Sequence, residues 1–275
     1  KISNGKWIWW SRGIGGRSAL DYLIKVKGYS FLEAVETIIG HTAIQAPVYE
    51  KPQSKEENKP LLLPEKCASN RVITEYLFGR GIDFEIINYC ISNDLIFESL
   101  PYHNVVFVGY DEKKEPKYAA YRSTNKRRIM GDCSGSKKDY SFRLGKENLE
   151  EVHLFECAID LLSYATLAKL NGQDWKEMSF VSLSGVYSPA KKIEDSKVPI
   201  ALEKYLGSNP SVRKIRIHFD NDIAGRKAAQ TLKTILPDKY EIVDEPPKAG
   251  KDFNDFLCMR MGIYNKKIHE RNEER

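Results

Sequence analysis

Short apolar segments alternate with helical patterns across residues 151–260. Four segments have the apolar and β-branched content of strands, at 152–155, 179–183, 212–219 and 240–243. Three segments between them carry apolar residues at helical spacing, at 161–170, 199–206 and 224–236. Strands that alternate with helices form mostly parallel sheets, because a parallel connection needs a crossover. The pattern therefore predicts an α/β domain whose sheet has about four mostly parallel strands with flanking helices.

The N-terminal region predicts a small separate unit. Residues 1–45 are rich in glycine and tryptophan, and a helix is predicted after Ser18, which suits an N-cap. A second helix is predicted after the capping-box pair Ser30 and Glu33. Residues 46–60 hold three prolines and six charges, a composition that predicts a linker rather than a core.

Residues 61–150 predict an α+β unit between the linker and the α/β domain. Its helices are expected at 70–78 and 83–90, and its strands at 104–110 and 116–122. Residues 261–275 are expected to form a C-terminal tail. Because the sequence begins with Lys1 rather than Met, we expect it to be part of a longer chain.

Composition excludes several classes of protein. The chain of 275 residues has 43 Lys and Arg against 38 Asp and Glu, a formal net charge of +5, and 41% hydrophobic residues. These values are typical of a globular protein and not of a disordered or collagen-like chain. The apolar runs are far shorter than the ~18 residues of a membrane span, so we expect no membrane partner. The mild positive charge permits a nucleic-acid partner without requiring one.

Five cysteines are scattered along the chain without a C-x-x-C pair, at Cys67, Cys90, Cys133, Cys157 and Cys258. An odd and scattered set argues against a disulfide framework and against a zinc site within this chain. We therefore expect a reducing, cytoplasmic location. The five histidines lie at unrelated spacings. The sequence has no Walker-type phosphate loop, which argues against ATP-driven helicase activity.

Carboxylates follow two of the predicted strands. Glu156 follows the first strand, and Asp220 and Asp222 follow the third. Ligands of parallel α/β sheets bind at the carboxyl ends of the strands, so these side chains are expected to meet. Such a cluster repels itself without a cation, and hard oxygen ligands select Mg²⁺ or Mn²⁺. An Asp-x-Asp pair alone is more typical of a solvated turn or a helix N-cap, but the combination in register predicts a metal site.

These residues carry a family resemblance. Residues 151–258 resemble a Toprim domain, the nucleotidyl-transfer and strand-cleavage module of bacterial primases, topoisomerases of types IA and II, and certain nucleases. The matching segments are LFECAIDLLS at 154–163, LSG at 183–185, FDNDIAG at 219–225 and GKDFND at 250–255. The resemblance implies that Glu156 is the general acid or base and that Glu156, Asp220 and Asp222 bind the metal. It also implies a set of supporting residues, namely Asp160, Gly185, Lys251, Asp252 and Asp255.

Two positions in the resembling segments remain open. Cys157 stands where many Toprim domains have glycine, and we interpret it as a small buried hydrophobe rather than a catalytic thiol. Lys251 suits a phosphate contact, but a surface lysine in a turn is an equally simple interpretation.

The resemblance extends upstream. Residues 61–148 resemble the Toprim-associated region of primase-like proteins from plasmids and integrative elements. Residues 1–40 resemble the second half of the primase zinc-binding domain, but Trp9 and Arg12 occupy the positions of two cysteine ligands. Thiolates hold the metal in such zinc ribbons, so we expect a remnant without zinc, in which the tryptophans contribute by packing.

The segment 121–148 is the most basic of the chain, with eight Lys and Arg against three Asp and Glu. A run of charge is typical of a solvated loop, and it is also typical of a surface that binds a phosphate backbone. The residues expected to bind nucleic acid are Arg122, Lys126, Arg127, Arg128, Lys137 and Lys138.

The leading hypothesis is a Toprim primase-like protein of a mobile element, which makes phosphodiester bonds on single-stranded DNA with Mg²⁺ or Mn²⁺. The resemblance implies single-stranded DNA, nucleoside triphosphates and a replicative helicase as partners. One alternative is a Toprim nuclease, because two-metal chemistry runs in both directions. Another is a non-catalytic nucleic-acid-binding accessory of replication. Loss of the zinc ligands favours this accessory role, whereas the three carboxylates argue against it. A topoisomerase is disfavoured because no separate domain is recognised that would place a nucleophilic tyrosine.

Overall fold

The chain divides into two units, Lys1–Glu57 and Asn58–Arg275, which are described separately. The computed structural model describes residues 2–3, 6–9, 14–30, 33–34, 37–38, 59–125, 129–185, 187, 189–190 and 193–263. Most of the predicted linker and tail lies outside the described residues. Within the described residues, the helices are all too short or too polar to cross a bilayer.

The first unit contains a small antiparallel sheet followed by a helix. Its elements, in chain order, are β1 (Ile2–Ser3), β2 (Lys6–Trp9), β3 (Ile14–Gly16) and α1 (Ala19–Lys27).

The helix start predicted after Ser18 and the predicted capping-box pair of Ser30 and Glu33 are confirmed, whereas much of the second predicted helix lies outside the described residues. The Ser18 hydroxyl accepts a hydrogen bond from the Asp21 N–H at 3.2 Å, which caps the start of α1. Gly28 ends α1 with a φ of 73°, a left-handed conformation that suits glycine. The Ser30 N–H donates to the Glu33 carboxylate at 2.8 Å, and the Glu33 N–H donates to the Ser30 hydroxyl at 3.3 Å, as a capping box requires.

Packing is confirmed for one tryptophan of this unit. The buried ring of Trp7 lies edge-on to Tyr22 with 5.3 Å between ring centroids. Its indole N–H donates to the Ser18 carbonyl at 3.1 Å. Trp9 is exposed, and Arg12 lies outside the described residues. The absence of zinc stays a prediction.

The second unit begins with two helices and an antiparallel sheet. The helices are α2 (Arg71–Phe78) and α3 (Phe84–Ser92), and the strands, in the order in which they pair, are β4 (Ile96–Ser99), β5 (Asn104–Tyr110), β6 (Pro116–Arg122) and β7 (Met130–Asp132). The two strands predicted here are confirmed as β5 and β6. The shorter β4 and β7 were not predicted.

The other sheet of this unit has five strands. In chain order its strands and the neighbouring helices are β8 (Arg143–Gly145), β9 (Glu151–Phe155), α4 (Ala158–Leu170), β10 (Ser179–Ser182), α5 (Ile200–Ser208), β11 (Lys214–His218), α6 (Ile223–Ile235), β12 (Glu241–Asp244) and α7 (Phe253–Arg260). The strand order is β12-β11-β9-β10-β8, and the four predicted strands pair in parallel as expected. The added edge strand β8 is antiparallel to β10. The sequence did not predict it, because three residues with one apolar side chain carry no periodic signal.

The parallel sheet is covered on both faces. Successive residues of a strand point to opposite faces, so Phe155 of β9 joins one core and Leu154 joins the other. The first core also takes Leu77 from α2 and Phe107 from β5, together with Leu257 from α7. Residues from both sides of the predicted boundary at 150 thus share one core. This shared packing fixes the edge of the sheet at which the acidic residues lie.

Candidate active site

Two of the predicted carboxylates follow neighbouring strands. Strands β9 and β11 pair in parallel with Phe155 opposite His218, so the residues after both strands emerge at the same edge. The Asp220 N–H donates to the Glu156 carboxylate at 3.2 Å. The meeting of Glu156 and Asp220, expected from the sequence, is therefore present in the structure.

A third loop closes over this edge and brings Lys251. The Asn221 N–H donates to the Lys251 carbonyl at 2.7 Å, which joins the two loops through their backbones. The Lys251 ammonium lies 3.2 Å from a carboxylate oxygen of Asp220 and 3.2 Å from one of Asp222. Lys251 is thus the counter-ion that the two aspartates share.

Asp222 has a second role as the N-cap of α6. Its carboxylate accepts a hydrogen bond from the Gly225 N–H at 2.9 Å. Asp222 is therefore both a helix N-cap, the alternative that the sequence left open, and a member of the acidic cluster. Gly225 packs directly on the 220–222 loop, since a Cβ at this position would collide with the Asp220 carbonyl oxygen.

We expect Gly225→Ala to displace the acidic loop and to lower the free energy of unfolding by about 1–3 kcal/mol, the usual cost of overpacking. Gly207→Ala is the matched control, because Gly207 lies in α5 with nothing within 4 Å of an added Cβ. That variant is expected to gain about 0.5–1 kcal/mol from helix propensity. Urea unfolding of both variants measures the difference, and equal stabilities would contradict the close contact at Gly225.

The three carboxylates differ in their ionisation. Burial raises the pKa of Glu156 to about 7, and the charge of Asp220 adds to the rise. Burial also raises the pKa of Asp220, against the lowering effect of Lys251. The pKa of Asp222 is lowered, first by the Gly225 N–H and then by Lys251. Glu156 can therefore carry a proton near neutral pH while Asp222 is ionised.

The raised pKa of Glu156 makes the metal-free fold lose stability as the pH rises. Between pH ~4.5 and ~7 the folded state holds a proton that the unfolded state has released, so this contribution is present at low pH and is lost as the pH rises through ~7. Glu156→Gln cannot ionise, and its stability advantage over the wild type should grow by about 2–3 kcal/mol from pH 5 to pH 8. Urea unfolding with a chelator present measures this difference. An advantage that is the same at both pH values would contradict the buried, raised carboxyl.

The predicted supporting residues surround the carboxylates. The Asp160 carboxylate accepts hydrogen bonds from the Cys157 thiol at 2.8 Å and from the Asn254 N–H at 3.2 Å. Asp252 caps α7 by accepting from the Asp255 N–H at 2.7 Å. Asp255 in turn accepts from the Lys251 N–H at 3.3 Å. These bonds tie the 250–255 loop to α4 and hold Lys251 in place.

Burial also determines the direction in which the pKa values of the neighbouring Asp160, Asp252 and Cys157 are shifted. Burial raises the pKa of Asp160, and the charge of Asp252 adds to the rise. Burial likewise raises the pKa of Asp252 and that of the Cys157 thiol. A partly buried thiol that stays protonated agrees with the interpretation of Cys157 as a structural residue.

A cleft of about 290 Å³ adjoins the acidic edge. Gly185 lines it, and the Gly185 N–H donates to the Glu156 carbonyl at 2.9 Å. Arg122 and Lys138 line it too. The Lys138 ammonium donates to the Ser184 carbonyl at 3.3 Å and lies 3.1 Å from the Asp132 carboxylate. Two of the predicted nucleic-acid-binding residues thus line the cleft that also contains Cys157, which follows Glu156 in sequence, and Gly185, which bonds to the Glu156 carbonyl.

Among the described residues, no contact places the other four predicted nucleic-acid-binding residues in this cleft. Lys126, Arg127 and Arg128 lie outside the described residues. Lys137 is held by its backbone N–H, which donates to the Lys117 carbonyl at 2.8 Å. The role of all four in binding nucleic acid stays a prediction.

The donor set fits a hard divalent cation. Glu156, Asp220 and Asp222 supply oxygen ligands, and the raised pKa of the first two shows that their negative charge lacks full compensation. Lys251 supplies part of that compensation. Among the described residues, one group of three side chains has all its ligating atoms within 4.8 Å of one another, and that group does not include these carboxylates. The carboxylate oxygens of Glu156, Asp220 and Asp222 therefore have to move closer together to bind one ion.

Sequence reasoning missed an arginine that shapes the site. The Arg226 guanidinium donates to the Phe219 and Asp220 carbonyls at 2.8 and 3.2 Å and to the Asp244 carboxylate at 2.7 Å. It therefore holds the end of β11 against the end of β12. Its position one turn into the predicted helix after Asp222 was the available signal.

A second missed contact joins the upstream region to the motif at 250–255. The Arg80 guanidinium donates to the Asn254 side-chain oxygen at 2.6 Å, and the Asn254 amide donates to the Arg80 carbonyl at 3.0 Å. The two residues are 174 positions apart, so no local pattern could have paired them.

Comparisons with known families agree with this architecture. Residues 153–257 match the family model described as Toprim-like. Residues 75–148 match the family described as protein of unknown function (DUF3991). The chain therefore contains a Toprim-like domain, as the sequence motifs predicted. A search of curated proteins found no match.

Similar solved structures include three from primases. The primase fragment of the bacteriophage T7 primase-helicase is 19% identical, covering 70% of this chain and 72% of that chain with a TM-score of 0.45. The DnaG catalytic core is 13% identical, covering 74% of this chain and 72% of that one with a TM-score of 0.45. A DNA primase domain from Pseudomonas aeruginosa is 16% identical, covering 70% and 68% with a TM-score of 0.45. The assignment of the domain rests on the family match and on the acidic edge.

Proposed function

We propose that this chain, which contains a Toprim-like domain, is a primase-like nucleotidyltransferase of a mobile element. Its substrates would be nucleoside triphosphates and single-stranded DNA, and its cofactor Mg²⁺ or Mn²⁺. The proposal includes a cytoplasmic location and a replicative helicase as a further partner, as the resemblance of the motifs implies.

One observation carries the proposal. Glu156 and Asp220 meet at the carboxyl edge of two parallel strands, with the Asp220 N–H 3.2 Å from the Glu156 carboxylate. The contact supports the proposal because burial and the charge of Asp220 raise the pKa of Glu156 to about 7, beside two carboxylates suited to a cation. A proton acceptor beside a cation site is what activation of a sugar hydroxyl requires.

The residues would divide the work as follows. Asp220 and Asp222, with Glu156, would hold the divalent ion, which supplies charge neutralisation for the triphosphate when bound. Glu156 would accept the proton of the attacking 3′-hydroxyl. The Lys251 ammonium, now shared by two aspartates, would be free to pair with a phosphate when a cation replaces it there. Asp160, Asp252 and Asp255 would keep the 250–255 loop in position.

The basic side of the cleft supports a polynucleotide partner. We expect Lys138→Ala to weaken binding of single-stranded DNA of any sequence and to reduce the slope of log affinity against log salt by about 0.7, the loss of one phosphate contact. Lys146→Ala is the matched control, since Lys138 and Lys146 have side chains 51% and 52% exposed and each pairs with a carboxylate. Fluorescence anisotropy at several salt concentrations measures both. Equal behaviour of the two variants would remove Lys138 from the binding surface.

Product length tests the proposed reaction. The protein is incubated with labelled nucleotides, single-stranded DNA and Mn²⁺ or Mg²⁺, and the products are resolved on a gel. New labelled oligonucleotides that need the divalent ion support synthesis. Shortened DNA would assign the carboxylates to a nuclease, and unchanged DNA with retained binding would indicate a non-catalytic module.

A further inference from the structure

A cluster of metal-ligating side chains lies in the antiparallel-sheet region of the second unit. The cluster consists of Cys67, Glu98 and His103, each of which has a ligating atom within 4.8 Å of those of the other two. No other trio of this kind is found in the part of the chain that the structure describes. We infer that these three residues form a second metal site, for Zn²⁺ or another divalent ion that binds thiolates. The inference goes beyond nucleotidyl transfer and does not depend on it.

Glu98 is the fixed point of the cluster. Its side chain is 2% exposed, and one carboxylate oxygen accepts hydrogen bonds from the Val72 and Ile73 N–H groups at 2.8 and 3.2 Å. These bonds satisfy the first turn of α2 and use only that oxygen. The other oxygen lies 2.6 Å from Nδ1 of His103. A carboxylate held by backbone N–H groups on one side and directed at an imidazole on the other is oriented as a ligand requires.

Backbone hydrogen bonds bring Cys67 to the same place. The Cys67 N–H donates to the Glu98 carbonyl at 2.8 Å, and the neighbouring Lys66 forms an antiparallel bridge with Ser99. The thiol is partly buried, and no hydrogen-bond partner for it is found among the described residues. Because the Cys67 thiol lies beside a buried carboxylate and an imidazole and has no hydrogen-bond partner among the described residues, it is available to coordinate a metal ion.

The turn between β4 and β5 presents His103. Its N–H donates to the Ser99 carbonyl at 2.8 Å, and its carbonyl accepts from the Thr124 hydroxyl at 3.0 Å. The residue has a φ of 52°, in the left-handed region that non-glycine residues adopt uncommonly, although histidine does so more readily than most. The backbone therefore holds the ring at Glu98 in a conformation that costs energy, as is frequent at functional sites.

The donor set selects the class of ion. A thiolate, an imidazole and a carboxylate together suit Zn²⁺ and leave a fourth tetrahedral position for water. Mg²⁺ and Mn²⁺ prefer oxygen ligands, so the cluster is chemically distinct from the acidic edge around Glu156. Binding releases the Cys67 thiol proton and sets the ligand atoms roughly 3.3–3.8 Å from one another, the spacing that zinc bond lengths impose. For the imidazole to coordinate through Nδ1, its 2.6 Å contact with the Glu98 carboxylate has to lengthen to that spacing and the proton of this hydrogen bond has to leave to solvent. The ligands come from three separate segments, which is why cysteine spacing argued against zinc in this chain.

Cobalt spectroscopy of the full chain tests the site. The protein is stripped with a chelator and titrated with Co²⁺, whose thiolate complexes absorb in the near ultraviolet by charge transfer, and Zn²⁺ affinity is then measured against a chromogenic chelator. One Co²⁺ per chain is expected to account for the charge-transfer band of the wild type, because an ion held by the carboxylates of the acidic edge has no thiolate ligand and adds nothing to that band. Cys67→Ser should lose the band and bind Zn²⁺ at least ~10-fold more weakly, and His103→Asn, which tolerates the left-handed backbone, should also bind more weakly.

Two controls keep the result specific. Cys133→Ser removes another partly buried thiol outside the cluster and should retain the band, as should Asp220→Asn, which alters the acidic edge. Melting without metal should be unchanged in Cys67→Ser, so that lost binding is not lost folding. Absence of stoichiometric binding by the wild type, or a band that survives in Cys67→Ser, would overturn the site and leave Glu98 and His103 as a structural hydrogen-bonded pair. Failure of nucleotide incorporation has no bearing on this result.

Discussion

Glu156→Gln is expected to lower the rate of nucleotide incorporation by ~10²–10⁴-fold, the usual contribution of a positioned acid or base. The substitution keeps the size of the side chain and an oxygen that can accept the Asp220 N–H, but it removes the site that carries a proton near neutral pH. Stabilisation by Mn²⁺ should be largely kept, because Asp220 and Asp222 remain. The measurement is the incorporation rate at saturating Mn²⁺, beside melting curves with and without the ion.

The matched control for this substitution is Glu177→Gln, which alters a glutamate with a 62% exposed side chain paired with Lys146. It should leave the incorporation rate unchanged. A Glu156→Gln protein that incorporates nucleotides at the wild-type rate would remove Glu156 from the chemistry, whatever its effect on stability.

Asp220→Asn is expected to keep or raise the stability of the metal-free fold while it lowers both the affinity for Mn²⁺ and the rate of nucleotide incorporation. Burial raises the pKa of Asp220, so its negative charge is unfavourable in the metal-free fold, and the neutral variant should be equally stable or more stable. The affinity for Mn²⁺ should fall at least ~10-fold, because a ligand is lost, and incorporation should fall with it. Calorimetric titration with Mn²⁺ and the incorporation assay measure the two effects.

Asp238→Asn serves as the control for Asp220→Asn, since Asp238 is an exposed aspartate on the loop after α6. It removes the same charge from the chain and should change neither Mn²⁺ affinity nor incorporation. An Asp220→Asn protein that is strongly destabilised without metal would contradict the uncompensated charge at this position.

The sequence was sufficient for the parts of the fold with strong local signals. The apolar runs of β9 and β11, the helix between Asp222 and Leu236 and the capping residues of α1 all follow from short-range physics. Because parallel strands end at one edge, the meeting of Glu156 and Asp220 followed from the same patterns. The resembling motifs added the roles that we propose for these residues, which periodicity alone does not supply.

Other parts depend on contacts that local patterns do not record. Strand β4 contains the buried Glu98, a charged residue that breaks the apolar pattern of the strand. Glu98 is buried because its carboxylate accepts a hydrogen bond from the start of α2, more than 20 residues away in sequence. Helix α7 is eight residues long without a clear apolar stripe, and its position is fixed by Asn254 bonding to Arg80. The closing of Lys251 over both aspartates likewise depends on the Asn221 backbone bond to the Lys251 carbonyl.

Thermal melting with and without millimolar Mn²⁺ tests most directly whether Glu156, Asp220 and Asp222 form a cation site. Cys67→Ser serves as the background for both proteins compared, so that the second cluster cannot contribute. An ion at 100 times its dissociation constant adds about 2.7 kcal/mol to the stability of the folded state. We predict a clear rise in melting temperature with Mn²⁺ in this background and a much smaller rise when Asp220→Asn is added. Melting that is indifferent to Mn²⁺, or an equal rise in both proteins, would contradict a metal-dependent active site at this edge of the sheet.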